Sequence, residues 1–373
     1  MFKAAISGTG LYTPEASISN DELVSCFNTY VQNFNRDNAA KIDAGQIDGL
    51  QESSSAFIEK ASGIKSRYAM NKEGILDPEV MHPLLPERSN DEPGVLAQMA
   101  IAAAKDALKN ANKSVGDVDA VIVACSNLQR AYPAVAVEVQ HHLGIDGFAY
   151  DMNVACSSAT FGLQSALNLV ETGTARAVLM VNPEICTAHL NFRDRDSHFI
   201  FGDACTAVIV ERQDTVSSDE SFEVISAKLS TTFSNNIRNN FGFLNRCAPS
   251  SEHKADKLFV QQGRKVFKEV SPMVARMISE HLATNNIECA NLSRMWLHQA
   301  NLSMNQLIAK RVLGREATAL EAPVILDEYA NTSSAGSIIA FHKYRADLAA
   351  GDIGVICSFG AGYSVGSVIL QKR

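Results

Sequence analysis

One cysteine in this sequence lies where it could act as a nucleophile. Cys156 lies in the stretch DMNVACSSAT, where a strand-like approach leads into a run of small residues that begins a predicted helix. The free N–H groups at a helix N-terminus favour negative charge, so this position predicts a thiol with a lowered pKa. A lone cysteine is more often a buried structural thiol, which is our expectation for most of the eight cysteines in the chain.

A histidine and an asparagine in the second half of the chain could complete a catalytic group. His298 lies in LHQAN directly after the strand-like run SRMWL, and open α/β sheets place their functional sites at such strand ends. Asn331 lies in ANTSSAG, at what we expect to be a strand-to-helix turn. An asparagine in that place can also be a simple helix cap, so both interpretations stay open.

Two pairs of segments indicate that the chain contains an internal duplication. Residues 117–127 resemble residues 291–301, and residues 151–163 resemble residues 327–339, with offsets of 174 and 176. The second pair shares Ser-Ser-Ala after its turn. A duplicated fold would bring the cysteine turn and the asparagine turn together across a pseudo-twofold axis.

Short apolar runs rich in Val, Ile and Ala alternate with amphipathic helical patterns. Apolar residues have helical spacing at 94–112 and at 263–285, where Pro272 predicts a bend or a helix start. Continuous apolar strands are typical of sheets that are covered on both faces. We therefore predict an α/β protein with mainly parallel sheets.

A chain of 373 residues suits two domains. The polar segment 212–221 predicts the boundary between an N-terminal half, 1–215, with the cysteine, and a C-terminal half, 216–373, with the histidine and asparagine. Two insertions have no equivalent in the other half. They are an amphipathic helical segment at 21–52 and a surface segment rich in proline and charge at 71–94.

The composition argues against several classes of function. A net charge of −8 argues against nucleic acid as the main partner. No apolar run approaches the ~20 residues of a membrane span, and the N-terminus lacks the apolar core of a signal peptide. The scattered cysteines form no CxxC pair, which argues against a metal site or a disulfide framework and favours reduced thiols in the cytoplasm.

Taken together, the motifs resemble the thiolase superfamily, and within it most closely β-ketoacyl-acyl carrier protein synthase III. The resemblance covers essentially the whole chain, and its most specific part is HQAN followed by NTS after the cysteine turn. It is carried by the stretches ISGTGLYTP, ASGIKSR, FGDA, HQAN, NTSSAGS and FGAGYSVGS. It implies a thiolase-like fold in which two duplicated halves form a five-layered αβαβα sandwich.

The resemblance also implies a reaction in fatty acid biosynthesis and the residues that perform it. Cys156 is acylated by an acyl thioester such as acyl-CoA, and malonate on an acyl carrier protein then loses CO₂ and attacks the acyl group. His298 and Asn331 stabilise the enolate, and the backbone N–H groups of Cys156 and Ala361 hold the acyl oxyanion. No cofactor and no metal are implied.

Further residues receive roles by the same resemblance. Phe359 packs beside the cysteine, and Asn301 contacts the pantetheine arm. Tyr132 crosses the interface of a homodimer and limits the acyl pocket of the other subunit. The acidic carrier protein docks on three basic residues, which could equally be ordinary solvated helix charges: Lys268, Lys310 and Arg311.

Three departures from the family pattern argue against an acetyl-CoA primer. Ala61 replaces an arginine that clamps CoA, Phe57 replaces a tryptophan that stacks on adenine, and Ser303 replaces an arginine after HQANL. They predict a divergent member that loads a longer, medium-chain acyl group or takes it from a carrier other than CoA.

Three other functions remain open. Non-decarboxylating condensing enzymes of the HMG-CoA synthase or olefin-pathway type need a glutamate base near the cysteine, and we discount the nearby candidates, Glu138 and Glu184. A Cys/His hydrolase fits the asparagine and the two-half architecture less well. A catalytically silent partner subunit would have lost its cysteine, which this chain retains.

Overall fold

The apolar runs of the sequence form the strands of a computed structural model that describes all 373 residues. Runs such as AVIVA are buried along their whole length because helices cover both faces of the sheet. The strands are Ala4–Tyr12 (β1), Ala16–Ser19 (β2), Ser66–Ala69 (β3), Ala120–Ala124 (β4), Phe148–Met152 (β5), Ala177–Ile185 (β6), Asp203–Arg212 (β7), Phe222–Ser234 (β8), Ile237–Arg238 (β9), Val260–Gln261 (β10), Leu292–Leu297 (β11), Ile353–Gly360 (β12) and Gly362–Lys372 (β13). The helices are Asn20–Asp37 (α1), Ala39–Asp43 (α2), Ser55–Ser62 (α3), Val95–Asn110 (α4), Val135–Leu143 (α5), Ser158–Glu171 (α6), Gly263–Thr284 (α7), Leu302–Leu313 (α8), Leu326–Tyr329 (α9) and Ala335–Lys343 (α10).

Nine strands form one sheet in the order β11-β12-β13-β8-β1-β7-β6-β4-β5. On the N-terminal side, β4 runs parallel to β5 and β6, whereas the pairs β6–β7 and β7–β1 are antiparallel. On the C-terminal side, β11 runs parallel to β12, whereas β12–β13 and β13–β8 are antiparallel. Only two residue pairs, Ala5–Glu223 and Ile6–Phe222, join β1 to β8. The pairing pattern therefore occurs twice, in agreement with the offsets in the sequence.

The prediction of mainly parallel sheets is wrong, because each half also contains antiparallel pairs. Ala361 is the single residue between β12 and β13. A parallel connection needs a crossover of roughly a dozen residues or more, so this short hairpin can only join antiparallel strands.

Helices and strands alternate in five layers. α4 and α5 pack on the outer face of the N-terminal strands, and α7 and α8 pack on the outer face of the C-terminal strands. α6 and α10 lie between the two groups of strands, in an apolar cluster with residues of both. The order of layers is thus αβαβα, as predicted for a thiolase-like fold.

The two central helices consist largely of small and apolar residues because little of their surface reaches solvent. In α10, every residue from 335 to 341 is buried. Thr160 of α6 lies so close to Gly366 of β13 that a Cβ on that glycine would be 2.2 Å from the threonine hydroxyl. The Ser-Ser-Ala runs at the start of both helices therefore suit a closely packed layer.

The two insertions pack against the connection between β6 and β7. α1 is amphipathic and buries Leu23, Phe27 and Val31. The segment 71–94 contains no helix or strand and adds Ile75 to the same apolar cluster. Residues of the β6–β7 connection complete this cluster, so the insertions cover that connection from outside.

The predictions of a helix start at Pro272 and of a domain boundary at 215/216 have different outcomes. Pro272 lies inside α7, which runs without interruption, so the prediction of a helix start at Pro272 is wrong. The domain boundary at 215/216 falls between β7 and β8 and stays a prediction, because a link between strands is also common within one domain. None of the helices is both long and apolar enough to cross a membrane.

Replacing Gly10 by alanine is expected to destabilise the fold strongly, because α4 lies directly on β1 at this glycine. A Cβ there would be 2.0 Å from the carbonyl oxygen of Ala103 and 2.5 Å from the backbone nitrogen of Ala107. Such overpacking costs about 1–3 kcal/mol of unfolding free energy, which urea denaturation measures. Gly116→Ala is the matched control, since its nearest neighbour would be 3.7 Å away. Equal denaturation midpoints for the two variants would contradict this account of the contact.

Candidate active site

Cys156 lies in the turn between β5 and α6. Ala155 has a φ of +48°, an uncommon conformation for a residue with a side chain, and it turns the chain sharply before the cysteine. On the opposite side, a Cβ at Gly360 would be 2.6 Å from the Cβ of Cys156, so only glycine fits there. The turn therefore holds the thiol in a fixed position before the first residue of α6.

Asn331 lies in a comparable turn before α10. Its neighbours Ala330 and Ser333 have φ values of +55° and +50°. The Oδ1 of Asn331 accepts the backbone N–H of Ser333 at 2.9 Å, which leaves the amide NH₂ available to donate into the adjoining cavity. The expected strand before this turn is absent, since the one-turn helix α9 takes its place. Asn331 is not the helix cap either, because Ser334 has that position.

His298 directly follows the last residue of β11, as its sequence context predicts. Its backbone N–H donates to the carbonyl of Cys357 at 2.8 Å, which fixes the residue against β12. The ring is buried and meets the ring of Phe359 edge to face, with 5.1 Å between the ring centroids.

A cavity of about 640 Å³ brings the three predicted catalytic residues together. Cys156, His298, Asn331 and Phe359 all line it. The side chain of Ser333 donates a hydrogen bond to the sulfur of Cys156 at 3.4 Å. The other lining residues are largely apolar and include Phe199, Ile200, Phe201, Ile237, Phe259, Val266 and Phe267.

Burial raises the pKa of Cys156 to about 11. The hydrogen bond from Ser333 and the backbone N–H groups of Cys156 and Ala361 act in the opposite direction. The expectation of a lowered pKa is therefore wrong: removal of the thiol from water outweighs the effect of the helix N-terminus.

Burial lowers the pKa of His298 to about 4, and a backbone interaction with Ser333 only partly opposes this shift. The imidazole is consequently neutral at neutral pH. A neutral ring donates through one nitrogen only, so His298 can offer one hydrogen bond to an oxygen in the cavity.

Two of the predicted carrier-binding residues border the cavity at its outer part. Lys268 is exposed there. Asn301 also lines the cavity, but its amide donates to the carbonyl of Ala61 at 2.7 Å and its Oδ1 accepts the N–H of Met304 at 3.2 Å. Asn301 is thus the N-cap of α8, a role not predicted from the sequence.

The remaining predicted residues lie away from the cavity. Lys310 pairs with Glu316 at 2.5 Å, and neither Lys310 nor Arg311 is among the lining residues. Tyr132 is 85% exposed and does not contribute to the cavity of its own chain.

Sequence reasoning missed Ser333 as a neighbour of the thiol. The repeated Ser-Ser-Ala indicates the duplication, and it is also the signal that could have revealed a hydroxyl facing the other turn. Glu184 is fully buried behind the two turns and does not line the cavity, which agrees with its exclusion as a base.

Comparisons with known proteins agree with this geometry. The family model described as 3-oxoacyl-[acyl-carrier-protein (ACP)] synthase III matches residues 150–232, and the model of its C-terminal part matches residues 282–372. Beta-ketodecanoyl-[acyl-carrier-protein] synthase of Pseudomonas aeruginosa is 68% identical over 347 residues, which are 93% of this chain and 99% of that protein. Beta-ketoacyl-[acyl-carrier-protein] synthase III of Granulibacter bethesdensis is 28% identical over the full length of both chains. The crystal structure of 3-oxoacyl-[acyl-carrier-protein] synthase III from Aquifex aeolicus has the same fold, with a TM-score of 0.75, 23% identity and 99% coverage of each chain.

Alkylation of Cys156 by iodoacetamide is expected to accelerate about tenfold per pH unit between pH 7 and 9.5, without a plateau, because the thiolate is the reactive form. Intact-protein mass in a Cys247→Ser/Cys289→Ser background measures it, since Cys247 is exposed and Cys289, like Cys156, is partly exposed. Ser333→Ala is expected to slow the reaction at each pH, because loss of its hydrogen bond raises the thiol pKa further. A plateau near pH 7 would show that the thiol is activated instead.

Proposed function

The chain belongs to the 3-oxoacyl-[acyl-carrier-protein] synthase III family, and on this basis we propose a medium-chain condensation as its reaction. It is a β-ketoacyl-ACP synthase III-like condensing enzyme, hence an acyltransferase. The 68% identity with a β-ketodecanoyl-ACP synthase carries the proposal of chain length. A ten-carbon product minus the two carbons from malonate leaves an eight-carbon acyl donor, in line with the departures at Ala61, Phe57 and Ser303.

In the first step, the sulfur of Cys156 attacks the carbonyl carbon of an octanoyl thioester such as octanoyl-CoA. The new thioester forms on Cys156, and the donor leaves as a thiol because the proton of the cysteine passes to the departing sulfur. We propose that the backbone N–H groups of Cys156 and Ala361, which act against the raised pKa of the thiol, donate to the oxyanion of this step.

In the second step, malonate on the acyl carrier protein loses CO₂ and its enolate attacks the acyl carbon on Cys156. The carbon–carbon bond forms as the bond to sulfur breaks, which frees the cysteine. We propose that the neutral ring of His298 and the free amide NH₂ of Asn331 each donate a hydrogen bond to the enolate oxygen. Both donors are uncharged and held in place before the charge develops, which favours stabilisation of that charge.

Intact mass after incubation with acyl-CoA thioesters of two to twelve carbons tests the first step. The eight-carbon donor is expected to give the fastest adduct, and Cys156→Ala to give none. An adduct with the two-carbon donor alone would overturn the proposal, and so would the absence of an adduct with every donor, whether bound to CoA or to carrier protein.

The variants His298→Ala and Asn331→Ala test the second step. Both keep the thiol, so they are expected to be acylated yet to release CO₂ from malonyl carrier protein about a hundredfold more slowly. Exposed Asn168→Ala is their control.

We also propose that the enzyme receives an acyl carrier protein at the outer part of the cavity, where Lys268 is exposed, and works in the cytoplasm without a cofactor. All eight cysteines are free thiols, which is typical of a reducing compartment. Lys310 supports carrier docking less well, because Glu316 already neutralises it.

We propose a homodimer because one edge strand of the sheet is free to pair with a second copy of the chain. β5 ends the strand order, so its outer backbone groups lack a partner strand, and Phe148 at its start is 39% exposed. Tyr132 is 85% exposed in the segment between β4 and α5, the neighbours of β5 in sequence. Pairing of β5 with its copy would cover Phe148 and let Tyr132 reach the other subunit.

Phe148→Asp is expected to convert the dimer into a monomer, because the substitution puts a charge into the proposed strand pairing. Sedimentation velocity at micromolar concentration measures the outcome. Phe233→Asp, on an aromatic of β8 that is 87% exposed, is the control and should leave the dimer intact. A dimeric Phe148→Asp protein, or a monomeric wild-type protein, would refute this interface.

A further inference from the structure

We propose that Glu184 is a positioning residue of the condensation, which ties the turns of Cys156 and Asn331 to each other and keeps a negative charge behind the thiol. The inference rests on the proposed function, since it concerns the same two turns. Glu184 lies near the end of β6 and is 1% exposed. It does not line the cavity, so it acts through its neighbours and not on substrate.

Four hydrogen bonds from two serines surround the carboxylate. Its Oε1 accepts the backbone N–H of Ser126 at 3.0 Å and that of Ser334 at 3.3 Å. Its Oε2 accepts the hydroxyl of Ser126 at 2.6 Å, and the hydroxyl of Ser334 bonds to Oε1. Ser126 follows β4 in the N-terminal half, whereas Ser334 precedes α10 in the C-terminal half. One buried side chain thus joins the two halves.

From Ser334, the connection to the catalytic group is immediate. The preceding residue, Ser333, bonds to the sulfur of Cys156 at 3.4 Å through its hydroxyl. Its N–H bonds to the Oδ1 of Asn331 at 2.9 Å, which orients the amide NH₂. A shift of Ser334 would therefore change both contacts at once.

From Ser126, a second connection leads to the cysteine turn. The carbonyl of Ser126 accepts the side-chain amide of Asn153 at 2.8 Å, and the Oδ1 of Asn153 accepts the N–H of Ala155 at 2.8 Å. Ala155 is the residue with positive φ directly before Cys156. Glu184 consequently supports both turns, one through each serine.

No cation neutralises Glu184, because none of the ion pairs of the chain includes it. The titratable groups that its charge affects are thiols: Cys125, Cys156, Cys186 and Cys205. Burial raises the pKa of Glu184 to about 7, with the four serine hydrogen bonds acting against the shift. Burial is the main cause of the raised pKa of Cys156, and the negative charge of Glu184 adds to it, so that both keep the thiol protonated before a thioester arrives.

Glu184→Gln tests the charge, because glutamine has the same size and keeps one oxygen for the two backbone N–H groups. At pH 8.5, iodoacetamide is expected to alkylate Cys156 severalfold faster in this variant, because the thiol pKa falls while burial, the larger cause of its shift, remains. Glu184→Asp retains the charge and is expected to restore slow alkylation. Asp203→Asn is the matched control: this buried carboxyl likewise accepts two backbone N–H groups and a hydroxyl, from Met70 and Thr187, and it should leave the rate unchanged.

Ser126→Ala tests the positioning, because it removes one hydrogen bond and leaves the carboxyl group in place. Since loss of that bond raises the pKa of Glu184 further above its value of about 7, alkylation is compared at pH 9.5, where the carboxylate is charged in both proteins. Condensation of the acylated enzyme with malonyl carrier protein is expected to lose about tenfold in kcat with little change in KM, while alkylation of the free thiol keeps its rate. This variant also carries the test if Glu184→Gln does not fold.

If Glu184→Gln were alkylated at the wild-type rate, or if Asp203→Asn accelerated alkylation equally, the role of the charge would be overturned. Wild-type kcat in Ser126→Ala would overturn the positioning role. Alkylation needs no acyl donor, so its outcome is independent of whether the octanoyl proposal holds.

Discussion

The central layer between the two groups of strands is the constraint on which the rest of the structure depends. α6 and α10 share this layer, and it has little room for side chains, as the contact of Thr160 with Gly366 shows. Small residues are therefore required where both helices begin. The turns that precede the helices consequently come close enough for Ser333 of one to contact Cys156 of the other. Packing alone brings the reactive groups together, before any chemical requirement is considered.

Burial then decides the charge state of the site. The thiol pKa rises from 9.0 to about 11, a difference of roughly 3 kcal/mol, whereas a helix terminus contributes about 0.3–1 kcal/mol. The same desolvation keeps His298 neutral, and Asn331 has no charge to lose. The resting site therefore consists of neutral groups that face a largely apolar cavity. In the proposed reaction, charge develops on these three residues and their substrates only while a thioester or an enolate reacts, when fixed donors are most effective.

Local patterns in the sequence were sufficient for the parts of the site that depend on neighbours in the chain. His298 follows its strand, and Cys156 lies at its turn, because apolar runs and small residues mark those boundaries. The duplication at offsets of 174 and 176 also indicated which turns would meet. The pKa of Cys156 could not be predicted in this way, since it depends on how many distant residues exclude water. The hydrogen bonds of Glu184 come from residues 58 and 150 positions away, and no local pattern reveals such contacts. The one-turn helix before Asn331 and the cap formed by Asn301 depend likewise on tertiary packing.

The short pairing of β1 with β8, the only strand pair that joins the two halves, has a consequence for how the chain folds during synthesis. Two residue pairs contribute little to holding the halves together, so the shared helical layer must supply most of that stability. A nascent chain that has completed β7 has made α6 but not the strands that cover it, and its apolar side faces water until β12 and β13 emerge from the ribosome. Aggregation at that stage is the main hazard for such a chain. The contact between Ser333 and Cys156 forms only when the late half has closed over the early one, so the environment of this thiol also reports that the whole chain has folded.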